Sequence, residues 1–383
     1  MDERSARTRG IALTERQRIA WLRLIRSDNV GPVTFRELIN HFGSAETALE
    51  MLPELSRRGG ASRAIRVASR AEAERELDIA DRHGAAFVGI GEPDYPFLLR
   101  QIDGAPPLLA VKGNRAVAAA SAVGIVGARN ASLSGTKFAG LLAREIGRAG
   151  YTIVSGLARG IDTAAHRASL DTGTVAAMAG GLDKPYPPEN IGLLAEITEG
   201  QGLAISEMPF GWEPRARDFP RRNRLIAGMS LGLVVVEAAV RSGSLITARN
   251  AADFGRLVFA VPGSPLDPRC EGTNGLLKDG ATITTTPEDV LESLRPLSEP
   301  DLFTPRPGAD EPAEDTPPAL RLPPGDGERA RITDALSQVP AEIDEIIRHT
   351  GIAAATVYLV LLELDLAGRL QRHADGRVSM TPD

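Results

Sequence analysis

Between Arg215 and Arg224 the chain reads RARDFPRRNR, five arginines with one acid, Asp218, and one aromatic residue, Phe219. Guanidinium forks grip phosphate oxygens and an aromatic face stacks on a base, so this mixture suits a sugar-phosphate backbone. Arg222 and Arg224 are the strongest candidates for phosphate contact. Arg217 and Arg221 flank Phe219, and Asn223 adds a neutral donor and acceptor. One or two of the arginines are expected to pair with Asp218 or Glu237 instead. Further candidate contacts sit in Gly-rich loops, where backbone N–H groups can approach an anion. These are Gly127 and Arg129 in GARN, Ser155, Gly156 and Arg159 in SGLARGID, and Ser242, Gly243 and Ser244 in RSGS.

Other chemistries find less support. Asp162 and His166 are four residues apart on one helix face, half of a metal site, with no third ligand in view. Ser242 and Ser244 have no attendant base, and helix N-capping explains them as well as nucleophilic attack would. Gly124 and Gly127 do not make G-x-G-x-x-G, and no acid closes the following strand to hold a ribose, so a dinucleotide cofactor is not expected. No cofactor of any kind is expected.

Short apolar runs position these loops: 122–128, 151–155, 174–179, 203–206, 231–237, 257–263 and 281–284, nearly all separated by helix-length segments. Such alternation predicts an α/β fold, an extended Rossmann-like doubly wound sheet that is mostly parallel, with ligands at the C-terminal strand ends. Ahead of it, residues 1–84 read as helical, and NVGPVTFRELINHF resembles a helix-hairpin-helix or SAM-like module. The sheet domain is assigned to 85–297. Residues 298–326 hold eight prolines and an excess of acids, the pattern of an extended linker. From 327 to 383, three helical segments and a two-stranded turn predict a winged helix. Its would-be recognition helix, Ala353 to Leu364, has no Lys or Arg, which favours packing over duplex reading.

The net charge of -6 is misleading about partners, because residues 298–328 alone carry eight acids against two bases. The remainder is near neutral with local basic patches, and patches decide nucleic-acid binding. A single cysteine, Cys270, excludes an internal disulfide. No apolar run approaches a membrane span and the N-terminus lacks a secretory core, so a cytoplasmic location is expected, with no membrane partner.

Taken in order, SGLARGIDTAAHRASL, GGLDKPYPPEN, FPRRNRLIAG, VVVEAAVRSGSLITARNAADFGR, VFAVPGSPLDP and GTNGLLKDGA closely resemble the DNA-processing protein A family, DprA or Smf. With YPFLLRQIDGAPPLLAVKG and VGIVGARNASLSG upstream, the resemblance covers residues 94–284; Ala128 stands where many members have Thr. It implies single-stranded DNA binding in transformation and recombination, loading of the RecA recombinase, a homodimer through the sheet domain, and no catalysis. It also implies that Arg129 and the Arg217, Phe219, Arg222, Asn223 and Arg224 group contact the strand. The alternative is a Rossmann-type nucleotide-phosphate hydrolase or transferase that uses the SGLARG and RSGS loops.

Overall fold

The computed structural model describes residues 12–297, 324–373 and 376–382. The N-terminal eleven residues and most of the expected acidic linker fall outside them. Two compact units emerge. One is the central region from Arg75 onward; the other combines Thr14–Glu74 with the described C-terminal residues.

Helices α1 (Glu15–Ile25), α2 (Pro32–Phe42), α3 (Ala45–Arg58) and α4 (Arg70–Arg82) open the chain. Local signals set their limits: a Thr14 and Gln17 capping box starts α1, and Pro32 starts α2. Gly43 closes α2 at a φ of 76°, a conformation costly for other residues. Nine strands follow: β1 (Ala85–Gly89), β2 (Leu108–Gly113), β3 (Ala122–Val126), β4 (Thr152–Ser155), β5 (Thr174–Ala177), β6 (Leu203–Ser206), β7 (Gly232–Val235), β8 (Leu257–Ala260) and β9 (Thr282–Ile283). Between them run α5 (Phe97–Arg100), α6 (Leu133–Arg148), α7 (Ile161–Ala168), α8 (Ile191–Glu199), α9 (Asp218–Met229), α10 (Gly243–Asp253) and α11 (Glu271–Lys278), and α12 (Pro287–Leu294) follows β9. The chain ends in α13 (Asp326–Asp334), α14 (Ile343–Thr350), α15 (Ala354–Leu366) and the hairpin β10 (Leu370–Arg372) and β11 (Val378–Met380).

All seven apolar runs of the sequence contain strands, β3 to β9. The sheet order is β1-β2-β6-β5-β4-β3-β7-β8-β9, parallel from β6 through to β9. Two strands not anticipated, β1 and β2, add an antiparallel edge against β6. One face carries Leu225, Ile226, Ala248 and Ala251 of α9 and α10; the other carries Leu142, Ile146, Ile161 and Val290 of α6, α7 and α12. The winding reverses between β3 and β7, which opens a crevice at their C-terminal ends.

In the second unit, one apolar helix serves two cores. Val357, Val360, Leu361 and Leu364 of α15 pack against α13, α14 and the hairpin. Leu359, Leu362 and Leu366 pack into the core of α1 to α3. Polar ties reinforce the join: Asn29 donates to the Leu366 carbonyl (2.9 Å), Thr34 to Asp365 (2.9 Å), and Arg372 bridges Glu37 and Asp365. The outward face of the would-be recognition helix is therefore spent on packing from Leu359 onward, which explains its aliphatic sequence. The closest approach is at Gly59, where an added Cβ would lie 1.9 Å from the Glu363 carbonyl oxygen and 2.9 Å from Ala367 Cβ. Backbone cannot yield there cheaply. Gly59→Ala is expected to destabilise this unit by roughly 1–3 kcal/mol in chemical denaturation, the usual cost of overpacking.

Candidate functional site

The crevice between β3 and β7 is a cleft of about 550 Å³, lined by residues that include Arg129, Asp162, Phe219, Arg222, Arg241 and Arg269. The arginine-rich stretch from Arg215 to Arg224 is mostly helix: α9 begins at Asp218, whose carboxylate accepts the Arg215 N–H (2.8 Å) and the Trp212 indole N–H (2.9 Å). On a helix, successive side chains point about 100° apart, so neighbouring arginines face different surroundings.

Phe219 and Arg222, three apart, face the cleft side. The Arg129 guanidinium sits 5.2 Å from the Phe219 ring centroid, and Tyr186 meets the same ring edge-on at 5.6 Å. Arg222 lies 6.0 Å away but turned inward. Its guanidinium donates to the Gly156 and Ala177 carbonyls and to the Asn223 side chain, and only 6% of the residue is exposed. Gly156 is glycine for this reason, since a Cβ there would lie 2.5 Å from the Arg222 Nη1.

Arg221 and Arg224 turn to a third environment, where both pair with the buried Glu207. Arg224 also donates to the Gly104 carbonyl. Neither Asp218 nor Glu237 is the arginine partner that the sequence suggested. Arg217 is exposed at the N-cap of α9, and Asn223 donates to the Gly243 carbonyl (3.1 Å), tying α9 to the RSGS loop. Ser155 is fully buried and donates to the Ile125 carbonyl (2.6 Å). Arg159 is exposed, 3.6 Å from Glu189.

Two anion seats at the strand ends are already filled from within. Gly127 lets the first loop close on Ile161 and the Glu237 carbonyl, where a Cβ would lie at 2.7 and 3.0 Å. At the start of α6, Glu237 accepts the Ser132 N–H (2.9 Å) and hydroxyl, and a Cβ at Gly135 would lie 2.5 Å from that carboxylate. In the SGLARG loop, Asp162 accepts the Gly156 and Ala158 N–H groups (3.1 and 3.3 Å). Burial raises the Asp162 pKa, against the pull of Arg222 and those N–H groups. Burial likewise pushes the Arg222 pKa down to about 10, with Asp162 opposing. At the start of α10, Ser242 caps the Ser244 N–H (3.3 Å), and Gly243 faces the cleft with open space around it.

His166 is a scaffold residue, not half of a metal site. Its Nε2 accepts the Leu157 N–H (3.3 Å) and its Nδ1 meets the Thr174 hydroxyl (2.7 Å). No cluster of three or more metal-ligating side chains occurs among the described residues. Tyr186, Arg241 and Arg269 are cleft neighbours that the sequence did not single out as contacts; the rigid YPP segment signalled Tyr186, the first residue of RSGS is Arg241, and Arg269 had no signal.

Burial, then the Arg222 charge, lowers the His166 pKa from 6.5 to about 3. The unfolded chain takes up this proton near pH 6.5 and the folded chain only near 3. Stability from this group is thus complete above 6.5 and lost as the pH falls toward 3. Between pH 7 and 5, wild type is expected to lose about 2 kcal/mol more than His166→Gln in urea titrations.

Comparison with known proteins agrees with this architecture. Residues 86–295 match the family model for DNA recombination-mediator protein A, residues 15–78 that of a DprA-like N-terminal HHH domain, and residues 311–376 that of a DprA winged helix domain. The chain is 32% identical to protein Smf of Synechocystis over 91% of its own length and 95% of that protein's. The X-ray structure of DNA processing protein A from Streptococcus pneumoniae superimposes with a TM-score of 0.60 at 34% identity, covering 74% of this chain and 98% of that one. A Helicobacter pylori DNA processing protein A structure, described for its single-stranded DNA binding mode, gives 0.51 at 26%, covering 56% and 97%. This chain therefore belongs to the DNA recombination-mediator protein A family, DprA/Smf.

Proposed function

We propose that this protein binds single-stranded DNA without sequence preference along the β3 and β7 cleft, and passes the strand to the RecA recombinase during DNA uptake and recombination. The observation that carries the binding reading is the Phe219, Arg129 and Tyr186 cluster at the mouth of a cleft that also holds Arg241, Arg269 and the start of α10. A ring, a guanidinium and a helix start together accept a base and its phosphate. The single-strand binding of the Helicobacter pylori relative supports it. The recombinase hand-off and a homodimer through the sheet domain rest on family membership, as does a cytoplasmic site of action. No single described helix is long and apolar enough to cross a membrane.

The nucleotide-phosphate hydrolase or transferase reading loses support at one of its two loops. The RSGS loop stays open to the cleft, but the SGLARG seat for a mononucleotide phosphate contains Asp162. A phosphate arriving there would meet a carboxylate.

Fluorescence anisotropy with labelled oligothymidylate tests the proposal. Phe219→Ala is expected to lose about 1–3 kcal/mol of binding while remaining folded. With Arg129, Arg217 and Arg241 on phosphates, log K should fall against log salt with a slope of about -2, from about 0.7 per contact. Equal affinity for duplex, or no salt dependence, would sink the proposal. Arg222→Ala should act on folding instead, costing about 3–5 kcal/mol in denaturant titration, because it empties a buried charge site.

A further inference from the structure

The loop between β6 and α9 holds a second aromatic and cation pair that the binding reading does not use. Trp212 is partly exposed, and the Arg215 guanidinium lies 4.6 Å from its ring centroid. The indole N–H is satisfied by Asp218 Oδ2 (2.9 Å), the same oxygen that accepts the Arg215 N–H. Only the faces of the indole are left to interact further.

Three connections fix this pair beside Phe219. Asp218 immediately precedes Phe219 in α9. The Trp212 carbonyl accepts the Gly181 N–H (3.0 Å), in the loop that leads to Tyr186. At Gly180, a Cβ would lie 2.9 Å from the Trp212 carbonyl oxygen and 2.8 Å from Pro214 Cδ, so the two loops are in close contact. The neighbouring acid, Glu213, is directed to Lys184 (3.8 Å) and leaves Arg215 to the ring.

We propose that Trp212 and Arg215 form a second stacking station, which takes another base of the same single strand that engages Phe219 and Arg129. Indole is the larger stacking surface, and a guanidinium over it can stack on a base or move to a phosphate. The inference rests on the single-strand reading and adds residues to it. A purely architectural role would instead have Trp212 only anchor Asp218.

The chain has two tryptophans, Trp21 and Trp212, and Trp21 packs edge-on against Phe35 in the helical unit. Full-length Trp21→Phe therefore leaves Trp212 as the sole indole reporter. Oligothymidylate should quench its emission, saturating at the concentration at which labelled-strand anisotropy saturates. In that background Trp212→Ala should weaken binding by about 5- to 100-fold. Trp212→Phe, which keeps a ring but loses the bond to Asp218, should recover most of the affinity. If the parent binds the strand but its emission does not change and Trp212→Ala binds equally well, the second station is overturned while single-strand binding stands. Affinity lost equally in the Phe and Ala variants, with no quenching in the parent, assigns Trp212 to architecture and also overturns it. A parent that binds no single strand removes the underlying reading and this one together.

Discussion

The buried guanidinium of Arg222 is the constraint on which the site depends. It reaches from α9 to the Gly156 carbonyl beyond β4 and the Ala177 carbonyl of β5, so one side chain ties a helix to two strand ends. A desolvated cation of this kind is tolerable only with its donors engaged and a negative partner nearby, and Asp162 supplies the charge. The same carboxylate holds the SGLARG loop through two backbone N–H groups. Phe219, one helical turn before Arg222, is thereby aimed at the cleft. The candidate stacking ring thus owes its position to an arginine that itself faces away from solvent.

Internal carboxylates also shape what the cleft can accept. Glu237 on the α6 start and Asp162 in the neighbouring loop occupy places where doubly wound folds commonly hold phosphate. What remains is an open, cation-rimmed groove beside α10 in place of a closed nucleotide pocket. A groove of that form suits a polymer backbone, which brings its phosphates in series and needs no enclosed seat.

The terminal unit follows a different logic. Its central helix, α15, has apolar residues on nearly every side because two small cores, each formed by a different end of the chain, use it at once. Neither helical group of this size would bury enough surface by itself to be robust. Sharing one helix joins them, and it accounts for a winged helix with no cation on its recognition element.

The sequence by itself determined the seven central strands, the doubly wound class, the family and the loops that meet at the crevice. Strand pattern and Gly-rich turns are local signals, carried by residues adjacent in the chain. It did not reveal β1 and β2, which take their place as strands by antiparallel pairing at the β6 edge. Nor did it separate the arginines of RARDFPRRNR. Their order is identical whether the segment is loop or helix, and only the turn of α9 sends Arg222 to backbone carbonyls, Arg221 and Arg224 to Glu207, and Phe219 to the cleft. Whether a cation meets ligand or scaffold depends on partners scores of residues away, such as Gly156, Ala177 and Gly104, and tertiary packing alone brings those partners into place.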